Sequence, residues 1–207
     1  MNARAVALEI LRRVEADGAY VDELLGERMR ASGLVSRDRA FCRELVSGTM
    51  RWRGRLDWVL ARCLKGDLEG LTVAIRNVLR LGVYQILFSD GVPDRAAVYE
   101  SVELAKRVGH RGTVRLVNAV LRRIVRERER IAYPDPEGDP AGHLAVVGSH
   151  PRWLVARWIA RFGMEEASAL CAANNRRRPV SLRVNRLMGT VETLVARLAE
   201  EGFKGRP

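Results

Sequence analysis

The sequence predicts a mainly α protein, an all-α helical bundle followed by a short α+β region. Three observations carry this. Apolar residues recur at helical spacing through roughly the first two thirds of the chain, a stretch rich in proline and glycine then interrupts them, and an alternating apolar–polar segment follows later. A length of 207 residues with 47% hydrophobic residues suits one ordinary domain plus a smaller one.

From Ala3 to Glu15, Ala3, Val6, Ala7, Ile10, Leu11 and Val14 form one stripe, with Arg4, Arg12 and Arg13 off it, and Gly18 ends this helix. A second helix turns Val21, Leu24, Leu25 and Met29 inward and stops near Ser32 and Gly33. Ser36 is placed to cap a third, which buries Phe41, Leu45 and Val46, bends near Gly54 and continues with Leu56, Val59 and Leu60. The bundle is organised around TVAIRNVLRLGVYQILFS, residues 72–89, apolar nearly all round and so destined for its middle. Thr72 can cap this helix, Gly82 lets a neighbour approach closely, and Arg76 and Arg80 exclude a membrane span. Pro93 starts the next helix and Gly109 closes it; Thr113 is placed to cap the last, with Val114, Val117, Leu121, Ile124 and Val125 inward. That last helix carries six arginines between Arg115 and Arg130 against Glu127 and Glu129, either a solvated face with i,i+4 pairs or part of a phosphate-facing surface.

The expected domains are a bundle over 1–132, a Pro/Gly linker over 133–142 and an α+β region over 143–207. In the last, Ser149 and Pro151 are placed as cap and early residues of HPRWLVARWIARFG, and a further helix runs from Glu165 to about Ala173. Val180 to Asn185 alternates as a half-buried strand does, and Thr190 opens a helix ending at Gly202. A lone strand lacks partners for its backbone groups, so the chain is expected to be a fragment or to take its partner strand from elsewhere.

The formal charge is +11, mostly from arginine, whose planar fork matches phosphate; residues 1–133 carry net +8 and 134–207 net +3. The competing explanation of the arginine bias is a GC-rich genome that uses Arg in place of Lys. No signal peptide is visible and three cysteines, Cys42, Cys63 and Cys171, form no paired framework, so a cytoplasmic, soluble protein is expected, with no membrane partner. No Gly-rich cofactor turn, Walker loop or metal-ligand spacing is present, and each cysteine reads as a small buried apolar residue. Catalytic, cofactor and metal residues are therefore expected to be none in this chain.

Five stretches together resemble a known family: DRAFCRELVSGTMRWRGRLDWVL (38–60), IRNVLRLGVYQILFSDGVPDRAAVYESVELAK (75–106), VNAVLRRIVRE (117–127), SHPRWLVARWIARFG and ANNRRRPVSLRVN. In this order they resemble the N-terminal, non-catalytic part of the Sun (Fmu), or RsmB-type, family of ribosomal RNA cytosine-C5 methyltransferases, whose first part has the NusB-type antitermination-factor fold. The resemblance implies an RNA-recognition portion of an S-adenosylmethionine-dependent enzyme. The family's Rossmann-like domain, with its nucleophilic cysteine and cofactor motif, has no counterpart here, so the chain alone is expected to be inactive.

The expected partner is RNA, small-subunit ribosomal RNA in particular, held by arginine forks at its phosphates. The candidate RNA-binding residues are Arg4, Arg12 and Arg13 on the first helix, Arg51, Arg53 and Arg55 beside Trp52, and Arg176, Arg177 and Arg178 before the strand. The alternative is an antitermination-type or protein-docking module, partnered by a ribosomal protein or the enzyme's own catalytic domain, which would leave Trp153, Trp158 or Phe203 uncovered.

Overall fold

The structure, a computed structural model, describes residues 2–176 and 181–205. At its centre α5, Val73–Phe88, is buried from Ala74 to Ile86 and packs against α1 (Ala3–Asp17), α3 (Ser36–Arg51), α4 (Arg53–Cys63), α6 (Asp94–Val108) and α7 (Arg111–Glu127). The Thr72 hydroxyl accepts from Ile75 N at 3.4 Å, as its spacing predicts. Gly82 is where two neighbours close in: a Cβ there would stand 2.6 Å from Leu121 Cδ1 on α7 and 2.8 Å from Ser101 Oγ on α6. One core, containing Ile10, Leu11, Leu45, Leu60, Leu79, Leu121 and Ile124, runs through the bundle, with α2 (Val21–Ala31) adding Leu24, Leu25 and Met29.

Local signals set the helix ends, though not always at the expected residue. Asn2 Oδ1 caps α1 through Ala5 N at 2.9 Å, and Gly18 ends it at φ 66°, where a glycine is least strained. Ser36 is the first residue of α3 rather than its cap; Val35 holds the cap position and no side chain bonds there. At α7 the cap is His110, whose Nδ1 accepts from Gly112 N at 3.1 Å, while Thr113 returns its hydroxyl oxygen to His110 N at 2.9 Å. The break between α3 and α4 falls at Trp52 rather than Gly54, and the Trp52 ring stacks on Phe88 with centroids 4.5 Å apart.

The polar residues of α5 are buried as well, with Arg80 1% exposed. Arg80 donates from Nε and one terminal nitrogen to both oxygens of Asp57, at 2.7 and 3.0 Å, and from the other nitrogen to Glu15 at 2.7 Å. Arg76 reaches the second Glu15 oxygen at 2.9 Å and pairs with Glu69, while Asn77 Nδ2 donates to Glu15 at 2.7 Å. Glu15 is thus the hub joining α1 to α5. Burial alone would raise its pKa, but the hydrogen bond from Asn77 and the guanidiniums of Arg80, Arg76 and Arg53 outweigh that and hold it below the usual carboxylate range.

The backbone divides into two compact units, Met1–Asn175 and Arg176–Pro207. In the first, the stretch after the bundle is tied down. Tyr133 lies beneath the Arg55 guanidinium, Asp135 accepts from the backbone N–H groups of Glu137 and Gly138, and Asp139 caps α8, Pro140–Val147, which packs on α4. This helix is absent from the sequence-based expectation, which takes Pro140 to Gly142 as linker.

Ser149 does not cap its own helix. It sits at φ 55° and its hydroxyl accepts from Gly54 N at 2.9 Å and Arg55 N at 3.4 Å, closing the uncapped start of α4 from 95 residues away. The following α9, Arg152–Asn175, is two helices meeting at Gly163, where φ is 81°, in agreement with the two expected runs. It packs on α8 around a small second core of Leu144, Val155, Ala167 and Cys171, with Trp158 against it.

Of the described residues, the second unit holds Arg176 and 181–205. Ser181 to Asn185 has no regular secondary structure, which corrects the expected strand; Val180 itself lies outside the described residues. Leu182 and Val184 would share one face of a strand, yet Leu182 is exposed and Val184 half-buried, so that face is not covered as a unit; a strand requires a partner and no described residue offers one. Thr190 caps α10, Val191–Glu200, through a reciprocal pair with Thr193, and α10 buries none of its side chains fully.

Candidate nucleic-acid interface

The described candidate arginines differ in what they contact. On α1, Arg4 turns inward: its Nε donates to Gln85 Oε1 at 2.8 Å and its guanidinium lies 4.9 Å from the Phe41 ring centroid. Burial lowers its pKa against the opposing charge of Glu100. Arg13 is half-exposed and balanced by Asp17 at 3.6 Å and Glu27 at 3.9 Å, whereas Arg12 is exposed without an ion pair among the described residues.

The cluster around Trp52 comes apart in the same way. Arg51 ends α3 before the break at Trp52, and on α4 successive residues are rotated by about 100°, so Arg53 and Arg55, two apart, face nearly opposite sides. Arg51 is exposed at the end of α3. Arg53 is exposed and lies 3.8 Å from both Glu15 and Asp57. Arg55 is half-buried and clamps the segment after the bundle to α4: it donates to the Tyr133 hydroxyl at 3.2 Å and the Val147 carbonyl at 3.4 Å, between the rings of Tyr133 and Phe88 at 5.0 and 5.5 Å. Arg176 is exposed, and Arg177 and Arg178 lie outside the described residues.

Arg12, Arg51 and Arg176 are therefore the described candidates whose forks are open to a ligand, because exposed guanidiniums keep their N–H donors available for phosphate. A further basic surface, read in the sequence only as a charge run on α7, gains Arg62 from the end of α4. Only the packing of α4 on α7 brings that residue to it.

The three cysteines are buried, and burial raises each thiol, that of Cys42 to about 11 despite nearby Arg43, which keeps them protonated and poorly nucleophilic. Among the described residues no group of three or more His, Cys, Asp or Glu is gathered as a metal site. No described helix is long and apolar enough to cross a membrane. Of the aromatic side chains expected on an open docking face, Trp153 is 67% and Phe203 62% exposed, whereas Trp158 is half-buried, packed edge-on against His150 with centroids 5.4 Å apart.

Comparison with known proteins places this architecture. Residues 1–126 match the NusB family, and residues 150–207 match the ferredoxin-like domain of the RsmF/B-like methyltransferases. The chain is 35% identical over 203 residues to the probable ribosomal RNA small subunit methyltransferase B of Bacillus subtilis (strain 168), covering 98% of this chain and 45% of that protein. It spans a little under half the length of the curated relatives it matches. Among solved structures, the antitermination factors NusB and NusE in complex with dsRNA include a chain that is 25% identical, with a TM-score of 0.56 over 60% of this chain and 93% of that one. A protein named PH0851 shares the fold over 98% of this chain and 45% of its own, at 19% identity and a TM-score of 0.67. With a bundle built on α5 and a second matched domain after it, the chain belongs to the NusB family and has the domain pairing of the N-terminal region of the ribosomal RNA small subunit methyltransferase B family.

Proposed function

We propose that this chain is the RNA-binding, substrate-recognition portion of an S-adenosylmethionine-dependent ribosomal RNA (cytosine-C5) methyltransferase, and that it has no catalytic residue of its own. The observation that carries the reading is a NusB-type bundle with net charge +8 over residues 1–133, on which Arg12 and Arg51 stay exposed while the buried arginines are consumed by internal carboxylates. Relatives named for ribosomal RNA methylation and a NusB neighbour solved with dsRNA support RNA as the ligand. The bundle and the region after it hold and orient the RNA through phosphate contacts; the full-length protein supplies the cofactor site and the residue that attacks the cytosine. Small-subunit ribosomal RNA is the proposed partner.

Replacing Arg12 and Arg51 by Gln tests this. If both contact phosphates, the slope of log affinity against log salt falls by about 1.4, the share of two contacts on single-stranded RNA. An unchanged slope removes this surface from the interface.

A second reading, a protein-docking module, draws on the exposure of Trp153 and on the NusE partner of the NusB neighbour. It predicts that Trp153→Ala abolishes association with a protein partner and leaves RNA affinity unaltered.

A further inference from the structure

We propose that the cleft between the C-terminal ends of α4 and α7 is a phosphate-binding site that grips the RNA backbone, a site separate from the arginines singled out in the sequence. The proposal rests on the RNA reading above and adds a location to it. The cleft, of about 390 Å³, is lined by Arg62, Arg123, Arg126 and Arg130, with Glu127 and Cys63 among the remaining wall residues. Four guanidiniums face one carboxylate. The Cys63 thiol, raised chiefly by burial, stays protonated and contributes no compensating charge.

Glu127 is fully engaged by two of the four: Arg123 Nε reaches it at 2.7 Å and an Arg126 terminal nitrogen at 2.9 Å. Those two arginines hold it below the usual carboxylate range. Arg62 and Arg130 have no carboxylate at ion-pair distance among the described residues, so the cleft retains a surplus of positive charge.

The simpler explanation is that cations gather there because two helices end there. Each C-terminus exposes carbonyls and favours positive charge, and Arg123 does donate to the Cys63 carbonyl at 3.4 Å. That accounts for one cation at each end and leaves two over. Arg62 is moreover held in place. Its guanidinium stacks 3.4 Å from the Trp58 ring centroid, and Trp58 is fixed by donating its indole N–H to the Ala132 carbonyl at 3.1 Å. A guanidinium stacked by its face keeps its in-plane N–H fork for an anion, and a phosphodiester oxygen pair fits that fork.

The test uses fluorescence anisotropy with a small-subunit ribosomal RNA fragment and three variants of the whole chain. Arg62→Gln with Arg130→Gln should weaken binding at least about fivefold and flatten the salt slope by about 1.4, while Arg95→Gln with Arg107→Gln, an equal loss of charge at exposed sites on α6, should change affinity less than about twofold. Glu127→Gln should bind more tightly than the unaltered chain, because it frees Arg123 and Arg126 for the phosphate. A variant that merely misfolded could not give that gain. Equal losses in the two double variants, with no gain from Glu127→Gln, would overturn the site while leaving RNA binding intact. Absence of RNA binding by the unaltered chain would overturn both readings. A preference of Glu127→Gln for polyglutamate over RNA would assign the cleft to an acidic protein and also overturn it.

Discussion

Replacing Arg80 by Met should be among the most destabilising single changes in the bundle. Arg80 is 1% exposed and makes three charge-assisted hydrogen bonds of 2.7 to 3.0 Å to Asp57 and Glu15. Removing one partner of a buried ion pair costs roughly 3–5 kcal/mol, because the remaining charges are left in a poor solvent. Here the lower end applies. Glu15, whose side chain is 13% exposed, keeps Arg76 at 2.9 Å and Asn77 at 2.7 Å, and Asp57, 29% exposed, can rehydrate. A loss of about 3 kcal/mol is a large share of the roughly 5–15 kcal/mol that holds a domain folded. In urea unfolding followed by far-ultraviolet circular dichroism, with a slope of about 2 kcal/mol/M, the midpoint should fall by about 1.5 M at constant slope. A fall below about 0.3 M would refute the account of the network. The acid limb gives a second reading. Glu15 titrates lower folded than unfolded, so its contribution is complete above the unfolded value of roughly 4.3 and is lost as pH falls through the folded one. Glu15→Gln should therefore be less stable than the unaltered chain at neutral pH and lose less further stability below about pH 4.5. Parallel pH profiles would assign the acid sensitivity elsewhere.

Three more outcomes follow from particular contacts. Gly82→Ala forces a methyl group against Leu121 and Ser101 and should lower stability by about 1–3 kcal/mol, read as a drop in melting temperature; no drop would mean that α6 and α7 can move apart freely. Ser149→Ala removes the acceptor at the start of α4 and should cost about 1 kcal/mol, whereas Ser149→Gly, which also relieves the left-handed backbone, should cost less; the reverse order in urea midpoints would contradict the capping role. Arg55→Lys loses the fork that spans Tyr133 and Val147, and should speed proteolysis in residues 133–150 without unfolding the bundle; unchanged cleavage would show that the clamp is dispensable.

The bundle was legible because its signals are local. Apolar residues on every face of 73–88 mark the central helix, and Thr72, Gly18 and Gly109 mark ends by their own chemistry. What stayed hidden depends on residues distant in the chain. Arg76 and Arg80 argued against a membrane span, but their partner Glu15 lies more than sixty residues away, and no local spacing announces it. Ser149 has the right residue type for a helix cap, yet the helix it serves is α4. The short helix α8 has apolar residues without a polar face, so its period could not be read. The candidate interface was the least legible part. Arg51, Arg53 and Arg55 are neighbours in sequence but point to solvent, to carboxylates and into a cage of rings, whereas Arg62 and Arg130 meet only because α4 packs on α7. The expected strand shows the opposite case, in which the alternating pattern is present but pairing needs a second segment.

The central claim, that this chain recognises ribosomal RNA, is tested most directly by titrating it against a small-subunit ribosomal RNA fragment and a scrambled RNA of equal length at two salt concentrations. A recognition module binds the ribosomal fragment more tightly, and the difference survives the higher salt, because shape-matched contacts persist when counterion release is weakened. Equal affinity for both RNAs, falling together as salt rises, would contradict recognition and reduce the +11 charge to non-specific attraction.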